Sequence, residues 1–181
     1  MIKTKSGLGI TIRQETQHDR DEVNALVDAA FSATHDGVDD TMDYLIALRG
    51  KDTYVPGLAF VAALPCGKIA GQITLCHTDI ITETGRVTQL VLSPVSVLPV
   101  FSGRGIAREM ITHALATAKE MGYKAVFLQG DPKLYARFGF EPAYRREIYH
   151  QSDKTRESEY CMVNRLIPGG LDGITGETYY E

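Results

Sequence analysis

The sequence predicts one mixed α/β domain, and three observations carry that prediction. First, Arg86 to Met121 reads as an apolar strand, a sharp glycine turn and a long amphipathic helix. Second, a short apolar run, Ala125–Gln129, follows that helix, as a parallel strand does after a right-handed crossover. Third, the remaining strand-like runs are short and joined by hairpin signals, which points to antiparallel neighbours. The expected order is β-α-α-β-β-β-α-β-α-β-β within a single domain spanning 1–181.

Leu8 to Arg13 alternates as an opening strand does. Thr16 or Asp19 can cap the helix that follows, in which Val23, Leu26, Val27, Ala30 and Phe31 share one face. Asp36-Gly37-Val38-Asp39-Asp40 breaks it, and a shorter helix runs through Met42, Leu45, Ile46 and Leu48 to Gly50. Leu58–Ala63 and Ile69–Leu75 read as strands around the turn Pro65-Cys66-Gly67-Lys68, the second running on toward Ile81. Val87 to Val97 is almost uncharged, as in a strand covered on both faces. Pro94 within it cannot donate to a ladder, so a bulge, a splay or the loss of one neighbour is expected there.

Ile106, Met110, Ile111, Leu115, Ala118 and Met121 recur at helical spacing, and Gly122 suits the position after the helix. In Gly130 to Phe140, Asp131 is a natural N-cap, Pro132 fits the first helical position and Gly139 closes about two turns. Tyr144–His150 and Tyr160–Ile167 read as two last strands around a polar hairpin, before a glycine-rich tail.

A length of 181 residues leaves room for a substantial core. The net charge of -4 argues against a nucleic-acid binder, which shows a basic face. Cys66, Cys76 and Cys161 are odd in number and widely spaced, unlike a disulfide framework or a metal cluster. No apolar run approaches the ~18 residues of a membrane span. A cytoplasmic protein without metal is expected.

The strand that ends in Gly103-Arg104-Gly105 and opens a helix leaves free backbone N–H groups at the positive end of a helix dipole. That is a ready site for a pyrophosphate, with Arg104 as a mobile charge; a plain tight turn is the alternative. A Walker loop lacks its Gly-Lys pair here, and the dinucleotide fingerprint lacks its third glycine.

The element order and three stretches resemble the GCN5-related N-acetyltransferase (GNAT) superfamily. Ser102-Gly103-Arg104-Gly105-Ile106-Ala107 aligns with its acyl-CoA motif, in which Gln or Arg precedes two residues, Gly, one residue, then Gly or Ala. Pro94 to Pro99, Gly130 to Phe140 and Pro168 to Gly176 match the YhbS-like subgroup of predicted N-acetyltransferases, so nearly the whole chain is covered. The resemblance implies a mixed, mostly antiparallel sheet of roughly seven strands, splayed at strands 4 and 5, with helices on both faces. It also implies acetyl-CoA as co-substrate, held by Val95, Ser96, Val97, Leu98, Ser102, Gly103, Arg104, Gly105, Ile106, Ala107, Asp131 and Tyr135. Ser102 departs from the usual Gln or Arg, which is expected to weaken coenzyme A binding without abolishing it.

The family passes acetyl directly from thioester to amine, without an enzyme nucleophile. Strand-end N–H groups near Val97 and Leu98 are expected to face the acyl oxygen. Tyr135 is expected to protonate the leaving thiolate. Asp79, Glu83 and His77 are candidates for the base that deprotonates the amine, and none is singled out. His35, Asp36, Asp39, Asp40 and Asp43 give an acidic rim suited to a cationic amine, on a small molecule or a protein. Homodimerisation is left open. An idle acyl-CoA-binding sensor and a nucleotide-binding protein are the competing functions.

Overall fold

A computed structural model describes residues 1–32 and 40–180. Among these lie ten strands and four α-helices, in the order β1 (Ile2–Lys3), β2 (Gly9–Gln14), α1 (Arg20–Ser32), α2 (Thr41–Leu48), β3 (Tyr54–Ala63), β4 (Ile69–Thr82), β5 (Gly85–Val97), α3 (Ile106–Glu120), β6 (Ala125–Gln129), α4 (Pro132–Tyr135), β7 (Phe140–Pro142), β8 (Ile148–His150), β9 (Cys161–Arg165) and β10 (Gly176–Thr178). This is a mixed α/β fold with a mostly antiparallel open sheet. The break expected at residues 36–39 lies outside the described residues. Contacts divide the chain into two compact units, Met1–Leu75 with Ser93–Ala114, and Cys76–Leu92 with Leu115–Glu181.

In the first unit the strands follow the order β1-β2-β3-β4-β5. β2 pairs antiparallel to β3, with Ile12 opposite Ala62. Lys68 carbonyl accepts from Leu64 N–H at 2.8 Å, closing the β3–β4 hairpin. Gly67 takes φ +90° in that turn, a conformation costly to any residue with a Cβ. Val23, Leu26 and Val27 of α1 and Leu45 and Leu48 of α2 are buried, whereas Ala30 and Phe31 are half-buried and Ile46 is exposed. A buried ion pair, Arg49 Nη2 to Glu15 Oε1 at 2.7 Å, holds the end of α2 to the end of β2. Arg49 also donates to Asn24 Oδ1 of α1 at 2.6 Å.

Both candidate caps of the first helix act together. Asp19 accepts from Thr16 N–H at 2.8 Å and from Thr16 Oγ1 at 2.7 Å, and from both terminal nitrogens of Arg13 at 2.7 Å. The Arg13 guanidinium, aided by the Thr16 bonds, holds this carboxyl well below the usual carboxylate range. A depressed pKa means that the carboxylate stabilises the fold above pH ~4 and loses that contribution as pH falls further. Asp19→Asn is therefore expected to cost about 1–2 kcal/mol at pH 7, with the gap to wild type closing below pH ~3. Urea titrations across pH check it.

α3 lies against β4 where Gly71 has no side chain. A Cβ there would meet Met110 Cε at 2.7 Å and Ile106 Cγ2 at 3.1 Å. Gly71→Val is expected to lower stability by about 1–3 kcal/mol through overpacking, read as a lower denaturant midpoint with an unchanged slope.

In the second unit the order is β4-β5-β6-β9-β7, with β10 pairing to β4 and β8. β5 and β6 pair in parallel at Leu90–Val126 and Val91–Phe127, the neighbour the crossover predicted. Those pairs stop three residues short of Pro94. Gly122 takes φ +90° after α3, and Tyr123 N–H returns to Ala118 carbonyl at 3.1 Å. The run Tyr144–His150 is not one strand. Glu147 sits at φ 56°, so a 3-10 turn over Ala143–Arg146 ends there and only Ile148–His150 pairs. Three short strands, β1, β7 and β10, add to the seven expected.

Candidate active site

The glycine turn sits where the sequence places it. After β5, a 3-10 turn over Pro99–Phe101 leads into Gly103 at φ +72° and Gly105 at φ +88°, then α3. Ser102 N–H donates to Pro99 carbonyl at 3.0 Å and Arg104 N–H to Phe101 carbonyl at 3.3 Å. Ser6 Oγ donates to Arg104 carbonyl at 2.9 Å, which ties the loop before β2 to the turn. The amides of Gly103, Gly105, Ile106 and Ala107 have no acceptor among the described residues. Four such donors at a helix N-terminus, with no side chain at either glycine, are chemically able to receive an anion. A Cβ at Gly103 would meet nothing within 4 Å, so the cradle is open. Ser102 therefore lends the turn its geometry through its main chain, whatever its side chain contributes.

The strand end is more selective than expected. Leu98 N–H is not free: it donates to Ala70 carbonyl of β4 at 3.0 Å. Successive amides of a strand point to opposite edges. The Leu98 bond to β4 therefore turns Val97 N–H away from β4. Val95 and Ser96 precede it in β5, and Ser96 is buried.

In the second unit, Asp131 caps α4, its Oδ1 accepting from Lys133 N–H at 2.9 Å. Tyr135 closes α4. Its ring meets Phe140 edge-on with centroids 5.9 Å apart. A Cβ at Gly130 would collide with that ring, so this glycine makes room for the tyrosine. The Tyr135 hydroxyl has no hydrogen-bond partner among the described residues, and burial pushes its pKa up. A neutral phenol with an uncommitted proton is suited to act as an acid.

Two of the three candidate bases are engaged. His77 Nε2 and Tyr123 Oη are 2.6 Å apart. Asp79 takes Arg86 at 3.0 Å and Thr88 Oγ1 at 2.6 Å. Glu83 is exposed on the β4–β5 turn. Of the acidic rim, His35, Asp36 and Asp39 lie outside the described residues, while Asp40 and Asp43 stand at the start of α2. No disulfide links the three cysteines; Cys66 is exposed, and Cys76 and Cys161 are buried. Sequence reasoning passed over Gln72, which is wholly buried within β4; its signal is a glutamine set inside the apolar run Ile69–Leu75.

The model of the acetyltransferase (GNAT) domain matches residues 11–143. The chain belongs to the GNAT acetyltransferases. It is 31% identical over 171 residues to the uncharacterized N-acetyltransferase YhbS of Escherichia coli strain K12, covering 94% of this chain and 95% of that one. The crystal structure of the GNAT-family E. coli YhbS in complex with CoA superposes with a TM-score of 0.84 at 28% identity, covering 96% of this chain and 91% of that one. A GNAT-family acetyltransferase from Brucella melitensis in complex with acetyl-CoA gives 0.75 at 26% identity, with 96% of both chains covered. The GNAT resemblance read from the acyl-CoA motif and the Gly130–Phe140 segment is thereby borne out. Among the described residues, no helix of this GNAT protein is long and apolar enough to cross a membrane.

Proposed function

We propose that the protein transfers an acetyl group from acetyl-CoA to a primary amine of a small molecule or protein, in a ternary complex. The observation that carries this reading is the four-amide cradle at the start of α3, beside a strand end whose Val97 N–H is turned out of the β4–β5 ladder. The CoA and acetyl-CoA complexes of the two GNAT relatives support the same co-substrate. The family match crosses both compact units, which supports reading residues 1–181 as one GNAT domain.

The chemistry follows from charge. The cradle binds the pyrophosphate, with Arg104 as an added cation. The amine nitrogen forms a bond to the thioester carbon as the carbonyl electron pair moves onto oxygen, which Val97 N–H stabilises. The carbon–sulfur bond then breaks and sulfur leaves as thiolate. Tyr135, a neutral phenol, gives a proton to sulfur as charge builds there, and the proton that nitrogen sheds as the amide forms restores the phenol. An alkylamine of pKa ~10.4 must first shed a proton, at roughly 4–5 kcal/mol at pH 7. His77 and Asp79 are held in other bonds, so that proton passes to solvent or to a group on the acceptor side. Asp40 and Asp43 suit an acceptor that arrives as a cation.

Calorimetric titration with acetyl-CoA tests the reading. Saturable binding at micromolar ligand supports it, and no binding at millimolar ligand removes it.

A further inference from the structure

Gln72 is fully buried in β4. A side-chain amide taken out of water is tolerated when its hydrogen bonds are made, and these are made to one short stretch of β5. Its Nε2 donates to Ser96 Oγ at 2.7 Å and to Pro94 carbonyl at 3.4 Å. Its Oε1 accepts from Thr74 Oγ1 at 3.4 Å. The bond to Ser96 is made by the Gln72 amide hydrogen, so the Ser96 hydroxyl keeps its own proton. That proton has no acceptor among the described residues, although Ser96 is only 6% exposed. The next residue is Val97, whose N–H the Leu98–Ala70 bond turns away from β4.

We propose that Gln72 is a positioning residue for acyl transfer and that the Ser96 hydroxyl it orients is a second donor to the thioester oxygen, beside Val97 N–H. This rests on the acetyltransferase reading above. As the amine nitrogen bonds to the thioester carbon, the carbonyl pair moves to oxygen and both donors shorten their bonds to it. As the pair returns, sulfur leaves with the electrons of the carbon–sulfur bond, and Ser96 keeps its proton throughout. A fixed neutral donor in a dry site needs no reorganisation at that moment, which is where such donors act. Gln72 supplies the fixity: without its NH₂, the Ser96 hydroxyl is free to rotate among its staggered positions.

The test compares Ser96→Ala, Ser96→Thr, Gln72→Met and the double variant Gln72→Met/Ser96→Ala in the full chain. Acetyl-CoA affinity is read by calorimetry, and kcat and KM against the best amine of a panel. Ser96→Ala is expected to lower kcat on the order of 100-fold, with acetyl-CoA affinity changed less than about 3-fold. Gln72→Met is expected to lower kcat about 10–100-fold, and the double variant to be no worse than Ser96→Ala, because the pair acts as one unit. Ser96→Thr, which keeps the hydroxyl, is expected to retain most of kcat. Unchanged kcat in Ser96→Ala overturns the inference, as does a double variant whose losses multiply, or a loss of affinity that parallels the loss of rate. Ser96→Ala and Ser96→Thr decide the matter even where Gln72→Met does not fold. Wild type that acetylates no amine is a separate result, which removes the acetyltransferase reading and this inference with it.

Discussion

Glutamate in place of Gly105 is expected to weaken acetyl-CoA binding by at least about 100-fold. Crowding is not the reason. A Cβ at Gly105 would meet Lys5 N at 3.5 Å as its nearest atom, an ordinary contact. The backbone cost is modest, since φ +88° strains a residue with a side chain by about 1–2 kcal/mol. The large term is charge. A carboxylate at the mouth of a cradle built from the amides of Gly103, Gly105, Ile106 and Ala107 faces a pyrophosphate at close range. Two like charges ~5 Å apart at an effective dielectric of ~20 repel by roughly 3 kcal/mol. Gly105→Ala separates the two effects: it carries the strain without the charge and is expected to lose less than about 10-fold in affinity. Equal losses in the two variants would mean that strain, not charge, governs the site. Calorimetry of both variants gives the answer.

Tyr135→Phe is expected to lower kcat by about 10–1,000-fold while leaving acetyl-CoA affinity within a few-fold of wild type. Phenylalanine keeps the ring against Phe140 and over Gly130, so the packing of α4 survives and only the proton is lost. The pH profile adds a sign. Burial raises the Tyr135 pKa above the ordinary tyrosine value of ~10, so the phenol stays protonated through neutral and mildly alkaline pH. Loss of the acid is therefore displaced above pH ~10, and the acidic limb of kcat/KM belongs to deprotonation of the amine. Activity should rise with pH between ~7 and ~9 in both proteins, the variant's curve lying lower with its acidic limb unmoved. A variant whose affinity falls as much as its rate would make Tyr135 a wall of the site and not its acid.

The parts of the fold readable in the sequence are those whose signal is local. The α3 face, the Gly67 hairpin, the Asp131 cap and the parallel β6 follow from spacing and turn chemistry within a few residues of each other. What was not readable depends on distant partners. β10 is three residues, Gly-Glu-Thr, with no alternation to mark it; pairing with β4 and β8 makes it a strand. Tyr144–His150 has strand composition, yet Glu147 turns left-handed within it and only the second half pairs. The site divides in the same way. The glycine turn and the start of α3 were legible because they are contiguous. The engagement of Leu98 by Ala70, and the clamp of Gln72 on Ser96 and Pro94, are cross-strand facts that only register reveals.

The most direct test of the account is turnover: acetyl-CoA with wild-type protein and a panel of primary amines, following coenzyme A thiol release and the N-acetyl product by mass spectrometry. Thiol and N-acetyl amine are expected in equal amounts, with cationic amines the better acceptors. Tight binding of acetyl-CoA without acetylation of any amine would contradict it and leave a protein that binds the thioester without using it.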